Sequence, residues 1–332
     1  MAFGITRRRF IGISAAAGGL SLLPLGRGVN AQASAVTWSG IALGAVASLQ
    51  IHHPDRAAAA ELVQSSVAEL RRLERLFSLY RDDSMLVALN RRGVLEAPPA
   101  EFVELLGEAR RYAELTGGAF DPTVQPLWAL YTDHFSKPDA DPDGPPAAEV
   151  KAALLLVGYG NVQVSRDRIA LAHRGMALTL NGIAQGYITD RIVALLRAGG
   201  IEHSMVDMGE ARAIGTRPDG HPWDVGLADP DEPGRIAQTI PIIDQAVATS
   251  GGYGFRFDVQ GRFNHLFDPK TGQSAARYRS VTVVMPTATA ADALSTAFSL
   301  LPLEDIDAML RRVGAGRAHI TTAGGQHRTL AA

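Results

Sequence analysis

The chain has 332 residues, 46% of them hydrophobic, with 32 basic against 34 acidic side chains and no cysteine. That balance excludes a broad basic footprint for nucleic acid or for an anionic membrane surface, and the missing cysteines exclude disulfide staples and lipidation at an N-terminal Cys. Such a length can bury one large core, or two closely packed α/β units, without cross-links.

At the front, Thr6-Arg-Arg-Arg-Phe10 precedes an apolar run from Ile11 to Leu25 and the small-x-small pattern Ala31-Gln32-Ala33. This pattern predicts a twin-arginine export signal cleaved after Ala33, a periplasmic protein, and one mature region over 34–332. The run falls short of the roughly 20 residues a membrane span needs, so no stable membrane insertion is expected after cleavage.

Asp55 is placed to cap a helix whose apolar positions Val63, Val67, Leu70, Leu73 and Phe77 follow three- and four-residue spacing. Pro98 and Pro99 open a second helix that Gly117 and Gly118 end. From Thr132 to Pro146 the chain is rich in Asp, Pro and Gly without periodicity, which predicts a surface loop or lid. Asp139, Asp141 and Asp143 lack the glycine and distal glutamate of a calcium loop, which favours a solvated loop.

Short β-rich runs follow at Val162–Val164, Ile169–Ala172 and Ala177–Leu180, then a helix from Gly182 to Arg197 that Gly199-Gly200 stop. Further strands are expected at His203–Met208, Trp223–Leu227, Thr239–Ile243 and Val281–Met285. Strands outnumber helices in the second half, so the expected class is α+β, with helices on a largely antiparallel sheet.

On a helix, Ala290-Ala-Asp-Ala-Leu-Ser-Thr-Ala-Phe298 sets Asp292 and Thr296 one turn apart on one face. A carboxylate with a hydroxyl is an oxygen set suited to Mg²⁺, which takes few protein carboxylates and completes its shell with phosphate or water. The plain alternative is a helix carboxylate near its N-terminus and a satisfied threonine.

Five other segments stand in order with this one: Phe77-Ser-Leu-Tyr-Arg-Asp-Asp-Ser84, Gly117-Gly-Ala-Phe-Asp-Pro-Thr123, Leu178-Thr-Leu-Asn-Gly-Ile-Ala-Gln-Gly-Tyr187, Ala248-Thr-Ser-Gly251 and His265-Leu-Phe-Asp-Pro-Lys-Thr-Gly272. Together they resemble the FAD:protein FMN transferases, the ApbE family, from about Gly40 to about Leu301. The resemblance implies the T-fold-related flavin-transferase fold. It also implies transfer of FMN from FAD to a Thr or Ser hydroxyl of a client protein, with release of AMP and dependence on Mg²⁺. The implied partners are FAD as substrate and a client with an FMN-binding domain.

Carried onto these positions, the resemblance implies FAD contacts at Leu43, Tyr80, Ala119, Phe120, Asp121, Thr179, Gln185, Thr249, Ser250 and Leu266. It places Mg²⁺ at the Gly182 carbonyl, Asp292 and Thr296, with Ser295 beside them. Tyr80 suits ring stacking, with a core tyrosine as the alternative. Asp121 precedes Pro122 and should lie at a turn facing the pocket. His265 is the candidate general base because an unperturbed imidazole titrates near neutrality; orienting the Asp268-Pro269 turn is its other reading.

The chain departs from the family pattern at Thr179, where an acid is common, at Gln185, where Lys or Glu is, at Leu43-Gly44-Ala45, where Met-Gly-Thr is usual and Ala45 lacks the hydroxyl, and at Met208-Gly209-Glu210, where two glycines are usual. These departures resemble the NosX-type branch linked to nitrous oxide respiration, whose implied client is an FMN-binding domain of the membrane-bound partner of nitrous oxide reductase. A flavin carrier without transferase activity and a Mg²⁺-dependent FAD pyrophosphatase are the other two classes compatible with the same pocket.

Overall fold

The computed structural model describes residues 35–332 apart from Asp231 and Pro233; the twin-arginine segment and the cleavage point at Ala33 lie outside the described residues. Chain order begins β1 (Val36–Ala42), β2 (Ala45–His52), α1 (Arg56–Phe77), α2 (Met85–Arg92), β3 (Val94–Glu96), α3 (Ala100–Leu115), α4 (Gln125–Phe135) and α5 (Ala147–Leu154). It continues β4 (Val162–Val164), β5 (Arg168–Leu171), α6 (Ala184–Ala198), β6 (His203–Asp207), β7 (Ala211–Ile214), β8 (Trp223–Ala228) and β9 (Ile236–Ile242). The last elements are β10 (Ala246–Ser250), β11 (Tyr278–Met285), α7 (Ala288–Phe298), α8 (Leu303–Val313), β12 (Arg317–Thr322) and β13 (His327–Ala331).

An eight-stranded sheet in the order β1-β2-β6-β7-β10-β11-β12-β13 is antiparallel at each junction. Alternation along β10 shows how its two faces are used: Ala248 enters the main core with helices α1, α6 and α7, while Val247 enters a second core under the β8-β9 ribbon. Trp223, Val225, Ile240 and Ile242 of that ribbon pack on Met205, Ala213, Val247 and Val284. The class is thus α+β with a largely antiparallel sheet. Among the described residues no helix is long and apolar enough to cross a membrane.

Asp55 caps α1 as its position suggests, its carboxylate accepting from Ala57 N at 2.8 Å and Ala58 N at 3.2 Å. Leu70, Leu73 and Phe77 are buried on the expected stripe, and the Phe77 ring lies 5.7 Å from both Phe102 and Tyr187, which joins α1 to α3 and α6. Gly117 and Gly118 take φ of 60° and 82°, a left-handed turn that a side chain would strain.

Three expectations change. Residues 177–180 form no ladder and no other regular structure; the segment is pinned by Asn90, which donates to Leu178 O at 2.8 Å and accepts from Leu178 N at 2.7 Å. Its side-chain amide takes the place of a neighbouring strand, and α6 begins at Ala184 rather than Gly182. The 132–146 stretch begins inside α4, which runs to Phe135, because the buried face of the helix continues through Tyr131 and His134. The rest of that stretch is strapped down and is no free lid: His134 Nε2 lies 2.9 Å from Asp141 O, Arg262 donates to Asp143 at 3.1 Å, and Phe263 lies where a Cβ on Gly144 would fall.

Candidate functional site

A cavity of about 350 Å³ opens where α6, α7, the end of β10, the β1–β2 turn and three loops converge. Every site residue expected from the sequence lies on its wall except Ser295. The reason is local in each case.

Leu43 sits at a left-handed φ of 47° in the tight β1–β2 turn, and its N–H donates to Glu74 Oε1 at 2.8 Å, so α1 fixes the turn against the cavity. Tyr80 follows the end of α1, and its hydroxyl accepts from Asn181 Nδ2 at 2.6 Å. Burial pushes the phenol up to about 12, which keeps Tyr80 a neutral, half-buried ring. Ala119 and Phe120 follow the glycine turn, with Phe120 N donating to Thr116 Oγ1 at 3.0 Å.

The Asp121 carboxylate is engaged by its own turn. Oδ1 accepts from Thr123 N at 2.8 Å and Thr123 Oγ1 at 2.5 Å, and Oδ2 accepts from Tyr159 N at 2.9 Å. Burial raises its pKa against these bonds. Asp121 therefore shapes the wall more than it offers a free charge. Thr179 N donates to Pro122 O at 2.7 Å and so lays the 178–182 segment beside this turn.

Gly182 has no room for a side chain: a Cβ there would lie 2.8 Å from Thr296 Oγ1 and 3.4 Å from the Phe120 ring. The backbone of Gly182 and the Thr296 hydroxyl are thereby brought together. Asp292 accepts from Gly186 N at 3.0 Å through Oδ2, and its Oδ1 has no partner among the described residues. Ser295 lies behind the wall, its hydroxyl 2.8 Å from Ser250 Oγ and donating to Asp292 O at 3.0 Å, so it braces α7 against β10. Thr249 Oγ1 is likewise paired, with Thr282 Oγ1 at 2.8 Å.

The electrostatics of this end are one-sided. Asp292, Glu210 and Asp207 are all buried, and burial pushes each carboxyl up, Asp207 to about 7. Glu210 is raised further by Asp292 and Asp207, and no basic side chain among the described residues acts on any of the three. Buried carboxylates without a counter-charge are what a divalent cation relieves. The donors present are all hard oxygens, which fits Mg²⁺.

His265 differs from its expectation. Its Nδ1 lies 3.3 Å from Phe255 O, which assigns the ring proton to Nδ1 and leaves Nε2 as acceptor, and burial pushes the imidazole down to about 4. It is neutral near pH 7 and a weak base. No hydrogen bond joins it to the Asp268-Pro269 turn, where Asp268 instead accepts from Lys270 N at 2.8 Å.

The wall also carries Gln125 and Trp128, which no motif covers, and Asn181 and Glu210, which the sequence marks only as part of a motif and as a departure from the family pattern, with no site role attached. Glu210 stands out in the sequence as an acid where the family pattern has glycine, and its place just past the buried strand β6 is what puts it in the wall. Trp128 belongs to α4 in a stretch with no motif, its ring 6.1 Å from both Phe255 and Phe257.

The family described as "ApbE family" matches over residues 43–320. The chain is 34% identical to the FAD:protein FMN transferase of Treponema pallidum over 267 residues, spanning 73% of this chain and 72% of the relative. It is 30% identical to the enzyme of the same name from Haemophilus influenzae, over 70% of each chain. Among solved structures, the ApbE protein of Thermotoga maritima superposes with a TM-score of 0.78 at 29% identity, covering 90% of this chain and 97% of that one. The apo flavinyl transferase ApbE of Pseudomonas stutzeri gives 0.76 at 27% identity, covering 91% and 97%.

Proposed function

The chain belongs to the ApbE family, and from that membership we propose that it transfers the FMN half of FAD to a Thr or Ser hydroxyl of a client protein and releases AMP. One observation carries the reading: a single cavity joins apolar and aromatic walls suited to a flavin with an oxygen-rich, uncompensated acidic end suited to a cation on a pyrophosphate.

Asp292, Thr296 and the Gly182 carbonyl are the groups that would hold Mg²⁺. When bound, the ion supplies Lewis-acid neutralisation of the pyrophosphate. Phe120, Leu266 and Leu43 exclude water from the ring end. Tyr80, held by Asn181, presents a neutral face for stacking. In the transfer step the client oxygen forms a bond to the FMN-side phosphorus as the bond from that phosphorus to the bridging oxygen breaks; AMP leaves with the bridging oxygen. His265 Nε2 accepts the hydroxyl proton. With an imidazole near 4 it is a weak acceptor, so most of the activation is assigned to charge neutralisation at the phosphate.

The periplasm is the proposed location, reached by the twin-arginine route, and the FMN-binding domain of a membrane flavoprotein tied to nitrous oxide reductase is the proposed client. Support comes from Arg7, Arg8 and the apolar run after them, and from the departures at Ala45, Thr179 and Gln185. The test is to incubate the protein with FAD, Mg²⁺ and an acceptor domain and to follow AMP, free FMN and protein-bound flavin. Transfer yields AMP with flavin on the acceptor. AMP with free FMN would make the protein a pyrophosphatase, and neither product would make it a carrier.

A further inference from the structure

Among the described residues, α6 and α7 meet along a seam whose hydrogen bonds join Gly186 and Asp190 of α6 to the helix that carries the proposed cation ligands. Gly186 N–H binds the Asp292 carboxylate at 3.0 Å. One turn later on the same face, Asp190 takes hold of the start of α7. Its Oδ1 accepts from Ala288 N at 2.9 Å, and its Oδ2 accepts from Thr289 N at 2.9 Å and from Thr289 Oγ1 at 2.6 Å. The same Oδ1 is ion-paired to Arg212 of β7, with both side chains largely buried.

Asp190 lies outside the cavity wall. An ordinary cap would need one of these bonds, and α7 already has a cap in Thr287, which accepts from Ala290 N at 3.3 Å. Ala288 and Asp292 are one turn apart, so a carboxylate that fixes the height and rotation of Ala288 fixes where the Asp292 carboxylate ends. Arg212 in turn fixes Asp190 to the sheet.

We propose that Asp190 is a positioning residue for the cation site, a clamp from the sheet through Arg212 to the first turn of α7 that holds Asp292 in register with Thr296 and Gly182. This rests on the cation reading above. Outer partners that orient a metal's ligands are typically worth about 10–100-fold in metal affinity.

The probe is Mn²⁺, which takes the same hard-oxygen shell as Mg²⁺, titrated into the purified protein and read by the electron paramagnetic resonance of the free ion. Asp190→Asn is expected to raise the Mn²⁺ Kd about tenfold. It should raise the Mg²⁺ concentration for half-maximal transfer in parallel, with KM for FAD unchanged and most of kcat recovered at saturating Mg²⁺. Thr289→Ala removes one donor to the clamp, leaves the two backbone bonds, and should shift Kd in the same direction by less. A merely structural role would lower the unfolding temperature of the metal-free protein and leave the Mn²⁺ Kd of the folded fraction where it was; that result, within twofold in Asp190→Asn or, if that variant does not fold, in Thr289→Ala, overturns the proposal. A wild-type protein that binds no Mn²⁺ overturns the cation reading itself.

Discussion

Asp292 gives one oxygen to Gly186 N–H and keeps the other toward the cavity, so Asp292→Asn changes charge and little else. The variant should lose at least about tenfold in transfer at limiting Mg²⁺, since even outer partners of metal ligands are worth about 10–100-fold; initial rates across a Mg²⁺ series measure it, and an unchanged curve refutes the ligand assignment. His265 makes a different kind of prediction. Its ring resonances should titrate with a midpoint near 4 by NMR, where an open imidazole would give about 6.5. The folded pKa lies below the unfolded one, so the unfolded chain binds the extra proton first. Stability that His265 contributes is full above about pH 6.5 and is lost as pH falls toward 4, by at most about 3 kcal/mol. Replacing His265 with Gln should flatten that acid limb in urea unfolding. At this scale the sequence was informative about location, since Gly182, Asp292 and Thr296, far apart in the chain, do meet on one cavity wall. It could not show that the Asp121 carboxylate is taken up by Thr123 and Tyr159, or that Ser295 turns to Ser250, because those partners are set by folding between distant segments.

Helix α6 tolerates no side chain at Gly186, where a Cβ would stand 2.3 Å from Ala288 O, a backbone atom that cannot step aside. Two effects oppose each other in Gly186→Ala. Helix propensity favours alanine by about 1 kcal/mol, while forcing the α6–α7 contact apart costs about 1–3 kcal/mol; the net expectation is loss of stability together with weaker divalent binding. Gly107→Ala supplies the contrast: the site is exposed in the middle of α3, with nothing within 4 Å of the added carbon. It should gain about 0.5–1 kcal/mol. Chemical denaturation of both variants decides the matter, and a gain at both positions would remove the steric argument. Elements with a strong internal period, such as α1 with Leu70, Leu73 and Phe77, were readable from the sequence. The edge strand β13 and the short β7 were not, since exposed or few residues leave no alternation to read, and 177–180 has strand composition without a strand partner.

For the molecule as a whole, the twin-arginine proposal predicts that replacing Arg7 and Arg8 together by Lys leaves the chain in the cytoplasm, because lysine lacks the planar donor geometry of a guanidinium. Cell fractionation should then find the unprocessed chain inside and the client domain without covalent FMN, although the purified variant still transfers. Cleaved protein at normal periplasmic levels would refute the export reading. The order of the large sheet could not be read from the sequence, because strand order depends on pairings such as Ser48 with Asp207 that no local pattern records. That same order bears on biosynthesis. Leu43 near the front of the described chain and Thr296 near its end lie on one cavity, and the strand that follows β2 in space is β6, made long after it. Pairings this remote close slowly and only once most of the chain is available. A nascent chain that has not yet emitted α7 therefore lacks one wall of the cavity, so on the proposed reading flavin capture belongs to the finished protein and never to the growing one.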